Sequence, residues 1–263
     1  MEWWLGYLAV GAVAGFLAGL LGIGGGAIIV PLLAVLFEAQ GLPKTHILHL
    51  AVGTAMATIL FTAIASVRAH AKRGATRWDV VWRMTPGVLA GGVVGSWITG
   101  YVPASVFAAL FAGVIFTAGT LMLLDFKPKP SRQPPGLAGM LAAGFLISAL
   151  SAFAAVGGAF LMVPFMLWCN VPLLHAIGTA AAIGFPIALS GTIGFIATGL
   201  GETALPPYSI GFVFLPALAG VVAASMLTAP LGAATAHRLP TKWMKRICAL
   251  LLYAIAARML LSF

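Results

Sequence analysis

The residues of this chain that can do chemistry are few, and most are glycines and threonines. Gly22-Ile23-Gly24-Gly25-Gly26 and Gly157-Gly158 sit inside apolar runs, and each is followed by a Val-Pro step, Val30-Pro31 or Val163-Pro164. Gly53-Thr54 and Gly178-Thr179 are a second recurring pair. A helix that starts after a glycine cluster presents unpaired N–H groups and the positive end of its dipole, and both attract an anion. Glycine lets the anion approach the backbone closely. The spacing predicts short apolar helices from about Ala27 and Ala159, with Gly24, Gly25, Gly26, Gly157 and Gly158 as candidate anion contacts. Thr54 and Thr179 stand early in the next apolar segments, where a hydroxyl can donate to an anionic oxygen. Each feature has a plainer alternative. Small residues also let membrane helices pack, and a threonine can bond back to its own helix carbonyl. Ser148, Ser151 and Ser190 are weaker candidates of the same kind.

The titratable groups narrow the chemistry further. Glu2, Glu38, Asp79, Asp125 and Glu202 all fall at segment edges or in connections. A proton relay built on an intramembrane carboxylate has no carboxylate to use, and an anionic cargo fits better than a cation. His49 and His175 open the segments that carry Thr54 and Thr179, and histidine titrates near neutral pH, so they are the candidates for proton coupling. An interfacial histidine is the alternative. His70 and His237 belong with basic connections, and Arg258 lies close enough to the end of its segment to snorkel. Cys169 and Cys248 make neither a CxxC pair nor a zinc spacing and read as inert, so no metal is expected. GxSxG, HExxH and Walker A signatures are missing, and the glycine cluster is not followed by a lysine, which argues against an enzyme. No cofactor is implied.

Composition dictates what must hold these residues. The chain has 263 residues, 62% hydrophobic and only 7% charged. Soluble domains carry about 25% charged residues, so the chain reads as a polytopic membrane protein with the lipid bilayer as its solvent. The net charge of +9 comes in short clusters between apolar runs, as in cytoplasmic loops, and does not point to nucleic acid. The acidic start Met1-Glu2-Trp3-Trp4 leads into an apolar stretch too long for a signal-peptide core and is expected to be retained.

The apolar segments are 5–37, 46–68, 80–100, 104–124, 136–168, 173–199, 208–235 and 244–262. The polar linker DFKPKPSRQPP, 125–135, divides the chain into 1–124 and 136–263. Gly15-Phe16-Leu17 recurs as Gly144-Phe145-Leu146, and Ala51-Val52-Gly53-Thr54-Ala55 as Ala176-Ile177-Gly178-Thr179-Ala180. Leu89-Ala90-Gly91 with Ser96 and Thr99 recurs as Leu218-Ala219-Gly220 with Ser225 and Thr228. Matches in the same order indicate a duplication, as in many secondary transporters. Basic residues at 68–83, 127–132 and 238–246 are expected on the cytoplasmic side. Segment 136–168 must then begin and end on that side. The expectation is an all-α fold of two inverted halves, each a glycine-broken re-entrant hairpin plus three transmembrane helices. A backbone break at that depth is tolerated only inside protein or beside a wet cavity. Two full crossings in place of the hairpins would give parallel halves and put the last basic cluster outside.

Leu21-Gly22-Ile23-Gly24-Gly25-Gly26 with Pro31, the repeated Gly-Thr, the basic stretch after the second segment and the two-half layout resemble the sulfite exporter TauE/SafE family. The similarity covers essentially the whole chain. The second half departs from the full motif, with Ala154, Ala155 and Val156 ahead of only two glycines. The resemblance implies a secondary transporter, usually an exporter, for sulfite or a related small sulfur-containing anion or organosulfonate in the inner (cytoplasmic) cell membrane. Alternating access around the paired glycine tips is the mechanism it favours. An anion channel and a non-transport scaffold or intramembrane enzyme are the competing readings.

Overall fold

A computed structural model describes residues 3–21, 25–72, 74–124, 135–155, 158–236 and 241–262. Gly24, Gly157, most of the 125–135 linker, His237 and Arg238 lie outside the described residues. The described chain is helical apart from one pair of two-residue strands. Its helices are α1 (Trp4–Leu21), α2 (Gly26–Ala39), α3 (Lys44–Lys72), α4 (Trp78–Gly100), α5 (Ala104–Leu123), α6 (Leu137–Ala154), α7 (Ala159–Trp168), α8 (Leu173–Gly199), α9 (Leu215–Ala236) and α10 (Thr241–Ser262). Between α8 and α9, β1 (Ser209–Ile210) pairs antiparallel with β2 (Val213–Phe214).

Both long apolar segments break at their glycines: α1 gives way to α2, and α6 to α7. Gly6 faces Leu36, and Gly25 faces Ala18, so α1 and α2 lie antiparallel as a hairpin. The Tyr7 hydroxyl closes its open end by donating to Gln40 Oε1 at 2.9 Å. At 1.5 Å per residue, α2 rises about 21 Å and α7 about 15 Å, less than the hydrocarbon thickness of about 30 Å. Among the described residues, five stretches are long and apolar enough to cross a membrane: Lys44–Lys72, Ala104–Leu121, Leu137–Ala154, Leu173–Gly199 and Leu215–Gly232.

One boundary differs from the sequence reading. Residues 208–214 do not continue α9 backwards, although they are apolar. Tyr208 and Gly211 take left-handed backbone conformations (φ 70° and 54°), which a helix cannot absorb. The strand pair they create has its own partners, with Phe212 N donating to the Phe195 carbonyl at 3.1 Å.

Close glycine contacts fix the relative directions of the helices. Gly87, Gly91 and Gly95 of α4 rest on the main chain of Leu141, Phe145 and Ala149, one turn at a time, so α4 and α6 run parallel. Gly11 and Gly15 of α1 rest on Val221 and Ser225, so α1 and α9 run parallel too. A methyl group on the α4 ladder would overlap a carbonyl oxygen, so these helices owe their spacing to glycine. In contrast, Gly53 of α3 faces Phe195 of α8, while Gly191 of α8 faces Met56 of α3. As one helix advances the other retreats: α3 and α8 are antiparallel. Thr120 and Tyr253 hydroxyls meet at 2.9 Å between α5 and α10. The core lies around α3, with Phe37, Leu33, Leu48, Met56, Phe107, Phe111 and Phe195 fully buried.

Candidate functional site

The two helix breaks come together. Gly26, the first residue of α2, lies against the carbonyl of Ala155, which ends α6, with no space for a side chain between them. At the first tip the Gly25 carbonyl accepts from Ile28 N at 3.1 Å and Ile29 N at 2.9 Å, which starts α2. At the second, Ala155 (φ 48°) and Gly158 (φ 70°) are left-handed, and the Gly158 carbonyl accepts from Leu161 N and Met162 N to start α7. Glycine is suited to that conformation and alanine is not. Ile59 of α3 closes over Gly26, and Ile187 of α8 over Gly158. The tips are therefore apolar-walled points where two short helices begin. Ser151, a turn before the break, bonds back to the Ile147 carbonyl at 2.7 Å.

The buried hydroxyls sort into two groups. Thr58, Ser96, Thr99, Ser151, Ser190, Thr192 and Ser225 all donate to carbonyls of their own helices. Thr54, Thr179 and Ser148 do not. Thr54 Oγ1 accepts from Phe214 N at 3.0 Å, and Thr179 Oγ1 from Arg77 N at 3.0 Å. Ser148, fully buried on α6, has no hydrogen-bond partner among the described residues and points at Gly92, where Ser190 also arrives. The plainer sequence reading for Thr54 and Thr179, a bond to their own helix, is not what they do. They are also set back from the tips: along α3, Thr54 is about 7.5 Å from Ile59, and along α8, Thr179 is about 12 Å from Ile187.

The histidines are further back still. His49 is about 15 Å along α3 from Ile59. Its Nε2 lies 3.0 Å from the Thr99 carbonyl and so carries the proton, while Nδ1 is buried with no hydrogen-bond partner among the described residues. Its ring packs between Phe107 and Phe212, with centroids at 5.0 and 5.1 Å. His175 is half-buried near the start of α8, its Nδ1 likewise without a partner. At the edge of α4, Arg77 donates to both carboxylate oxygens of Asp79, at 2.9 and 2.7 Å. Those hydrogen bonds hold the Asp79 carboxyl below the ordinary carboxylate range. Among the described residues, no cluster of His, Cys, Asp and Glu is placed to hold a metal ion.

Sequence reasoning reached the glycine tips and both threonines, but not the role of their oxygens. The partners lie 160 and 102 residues away, and nothing local marks them. Ser148 was legible only as one serine among several, because its lack of a partner is a property of the packing.

Apolar helices of spanning length, with the start of α2 set against the end of α6 where the two long segments break, describe a multi-pass α-helical membrane protein. The chain belongs to the sulfite exporter TauE/SafE family, whose sequence model matches residues 7–259. It is 35% identical over 257 residues to a probable membrane transporter protein of Haemophilus influenzae, covering 97% of each chain. It is also 27% identical over 192 residues to a probable membrane transporter protein of Bacillus subtilis, covering 70% of this chain and 76% of that one. A probable membrane transporter protein of Methanocaldococcus jannaschii is 24% identical over 211 residues, with 80% and 77% covered. No solved structure matches the chain. As a member of a transporter family, the protein is not an enzyme.

Proposed function

We propose that the protein is a secondary transporter that exports sulfite, or a related small sulfur-containing anion or organosulfonate, across the cytoplasmic membrane by alternating access. The observation that carries this reading is the meeting of the two breaks, where Gly26 at the start of α2 lies on the carbonyl of Ala155, which ends α6 a few residues ahead of α7. Gly24, Gly25, Gly26, Gly157 and Gly158 form the cargo site in this proposal. Backbone N–H groups and the positive ends of two helix dipoles hold the anion there. Sulfite suits such a site because it is small, charged near neutral pH and rich in acceptor oxygens. Thr54 and Thr179 border the path, each with a hydroxyl hydrogen not given to its own helix. His49 and His175 are the groups proposed to couple transport to protons.

The halves 1–124 and 136–263 are inverted in this proposal. Antiparallel α3 and α8, which are equivalent by sequence, support it. So do the reciprocal parallel pairs, α1 with α9 and α4 with α6. Short α2 and α7 support re-entrant hairpins. Rocking of one half on the other then exposes a midplane site alternately to each face.

The direct test is flux in proteoliposomes. Saturable sulfite or organosulfonate transport with counterflow is the expected result. Flux that never saturates makes the protein a channel, and no flux of any such anion removes the cargo assignment.

A further inference from the structure

The two Gly-Thr pairs repeat one arrangement in two places. Each threonine oxygen accepts a backbone N–H at 3.0 Å, from Phe214 or from Arg77. Two residues before each donor, a carbonyl presses on the glycine that precedes the threonine: Phe212 on Gly53, Ala75 on Gly178. A side chain at either glycine would displace that carbonyl. Each donor is the residue immediately before a helix, α9 for Phe214 and α4 for Arg77. Each bond crosses from one set of five helices to the other. The same dipeptide, the same two-residue offset and the same place in the following helix make chance an inadequate account.

Position adds a consequence. Because α3 and α8 are antiparallel, the two grips sit toward opposite ends of that helix pair. About 27 Å of α3 separates Thr54 from Lys72, and Arg77 lies just beyond that end. The gripped segments are also the entrances of α9 and α4, helices that pack on α1 and α6 and so on the arms leading to the tips. One hydrogen bond on a bare glycine floor is a weak hold. It shifts a two-state equilibrium by about two- to tenfold, enough to bias a conformation without locking it.

We propose that Gly53-Thr54 and Gly178-Thr179 are a pair of latches. Each holds one end of the bundle closed by gripping the entrance of a helix from the other set, and the transport cycle releases them one at a time. Their use in a cycle rests on the alternating-access reading above; their geometry does not. In this role Thr54 and Thr179 are positioning residues that act through the loops they hold.

The test is a thiol-accessibility measurement on the full chain in nanodiscs, without cargo. In a background carrying Cys169→Ala and Cys248→Ala, single reporters are placed at Ala51→Cys and Ala176→Cys. These are equivalent alanines, each fully buried and three residues before its latch threonine. Thr54→Val, which strands the buried Phe214 N–H, should raise the maleimide labelling rate at position 51 by about five- to hundredfold and leave position 176 unchanged or slower. Thr179→Val should do the converse, and Thr→Ser at either site should restore the original rates. Labelling that rises at both reporters together, at neither, or at the wrong one overturns the latches. The arms separate from the cargo question: selective labelling without sulfite flux removes the cargo reading alone, and flux without selective labelling removes the latches alone.

Discussion

The two Gly-Thr grips are alike in bonding and unlike in surroundings. The strand held by Thr54 is apolar, with Phe212 and Phe214 buried and His49 stacked on Phe212. The turn held by Thr179 leads into a polar helix start, where the Arg77 and Asp79 side chains are largely exposed. The glycine tips differ more deeply. Gly25 at the first is right-handed (φ −63°), whereas Ala155 and Gly158 at the second are left-handed. Bonding that is reproduced in both halves fits a task that must be done twice, and the tips, proposed above to hold a single cargo, are where the halves diverge.

Substitutions at the tips and grips should have effects that differ in the same way. The largest effect is expected at the tips. Gly158→Leu forces a side chain into a left-handed backbone and onto Ile187, and Gly25→Leu crowds Ile29 and Ala18. Both should abolish sulfite flux in vesicles while the protein still inserts; survival of flux in both would remove the tip site. Next comes Thr54→Val. It strands the buried Phe214 N–H, which costs about 1–3 kcal/mol, so thermal unfolding in detergent should occur at clearly lower temperature. Thr179→Val should cost less, about 0.5–1.5 kcal/mol, because water can reach Arg77. Equal shifts would erase the difference between the two surroundings. Ser148→Ala removes a hydroxyl that has no partner among the described residues, so stability should be unchanged or slightly raised. A fall in flux at unchanged stability would make Ser148 a cargo contact. Asp79→Asn should also have only a small effect. The exposed pair is worth under about 1 kcal/mol. Since Arg77 lowers the Asp79 carboxyl, that contribution is present at neutral pH and fades only as pH falls through and below the ordinary carboxylate range. A stability change at pH 7 larger than that at the Thr179 grip would contradict this order.

Much of this architecture was legible in the residues. Glycine inside apolar runs marked both helix breaks, because few other residues are so costly in a helix and so tolerant of a turn. The recurrence of Gly-Thr marked the grips as a unit. What the residues did not reveal was set by distance or by backbone sign. The strand pair at 209–214 depends on two left-handed residues within an apolar run that otherwise reads as helix. The partners of Thr54 and Thr179 come from the opposite end of the chain, so a local reading offered only a cargo oxygen or a helix carbonyl. The left-handed Ala155 has no signal in its type, since alanine favours the right-handed helix.

In the proposed arrangement the two sets of helices face opposite ways around a shared pair of tips. Side-specific labelling tests it most directly. In the cysteine-free background, Lys44→Cys and Pro172→Cys report the starts of α3 and α8, both exposed. In sealed vesicles, an impermeant maleimide should reach one of them from outside and the other only from inside. Labelling of both from the same face would contradict the inverted arrangement and, with it, transport around opposed tips.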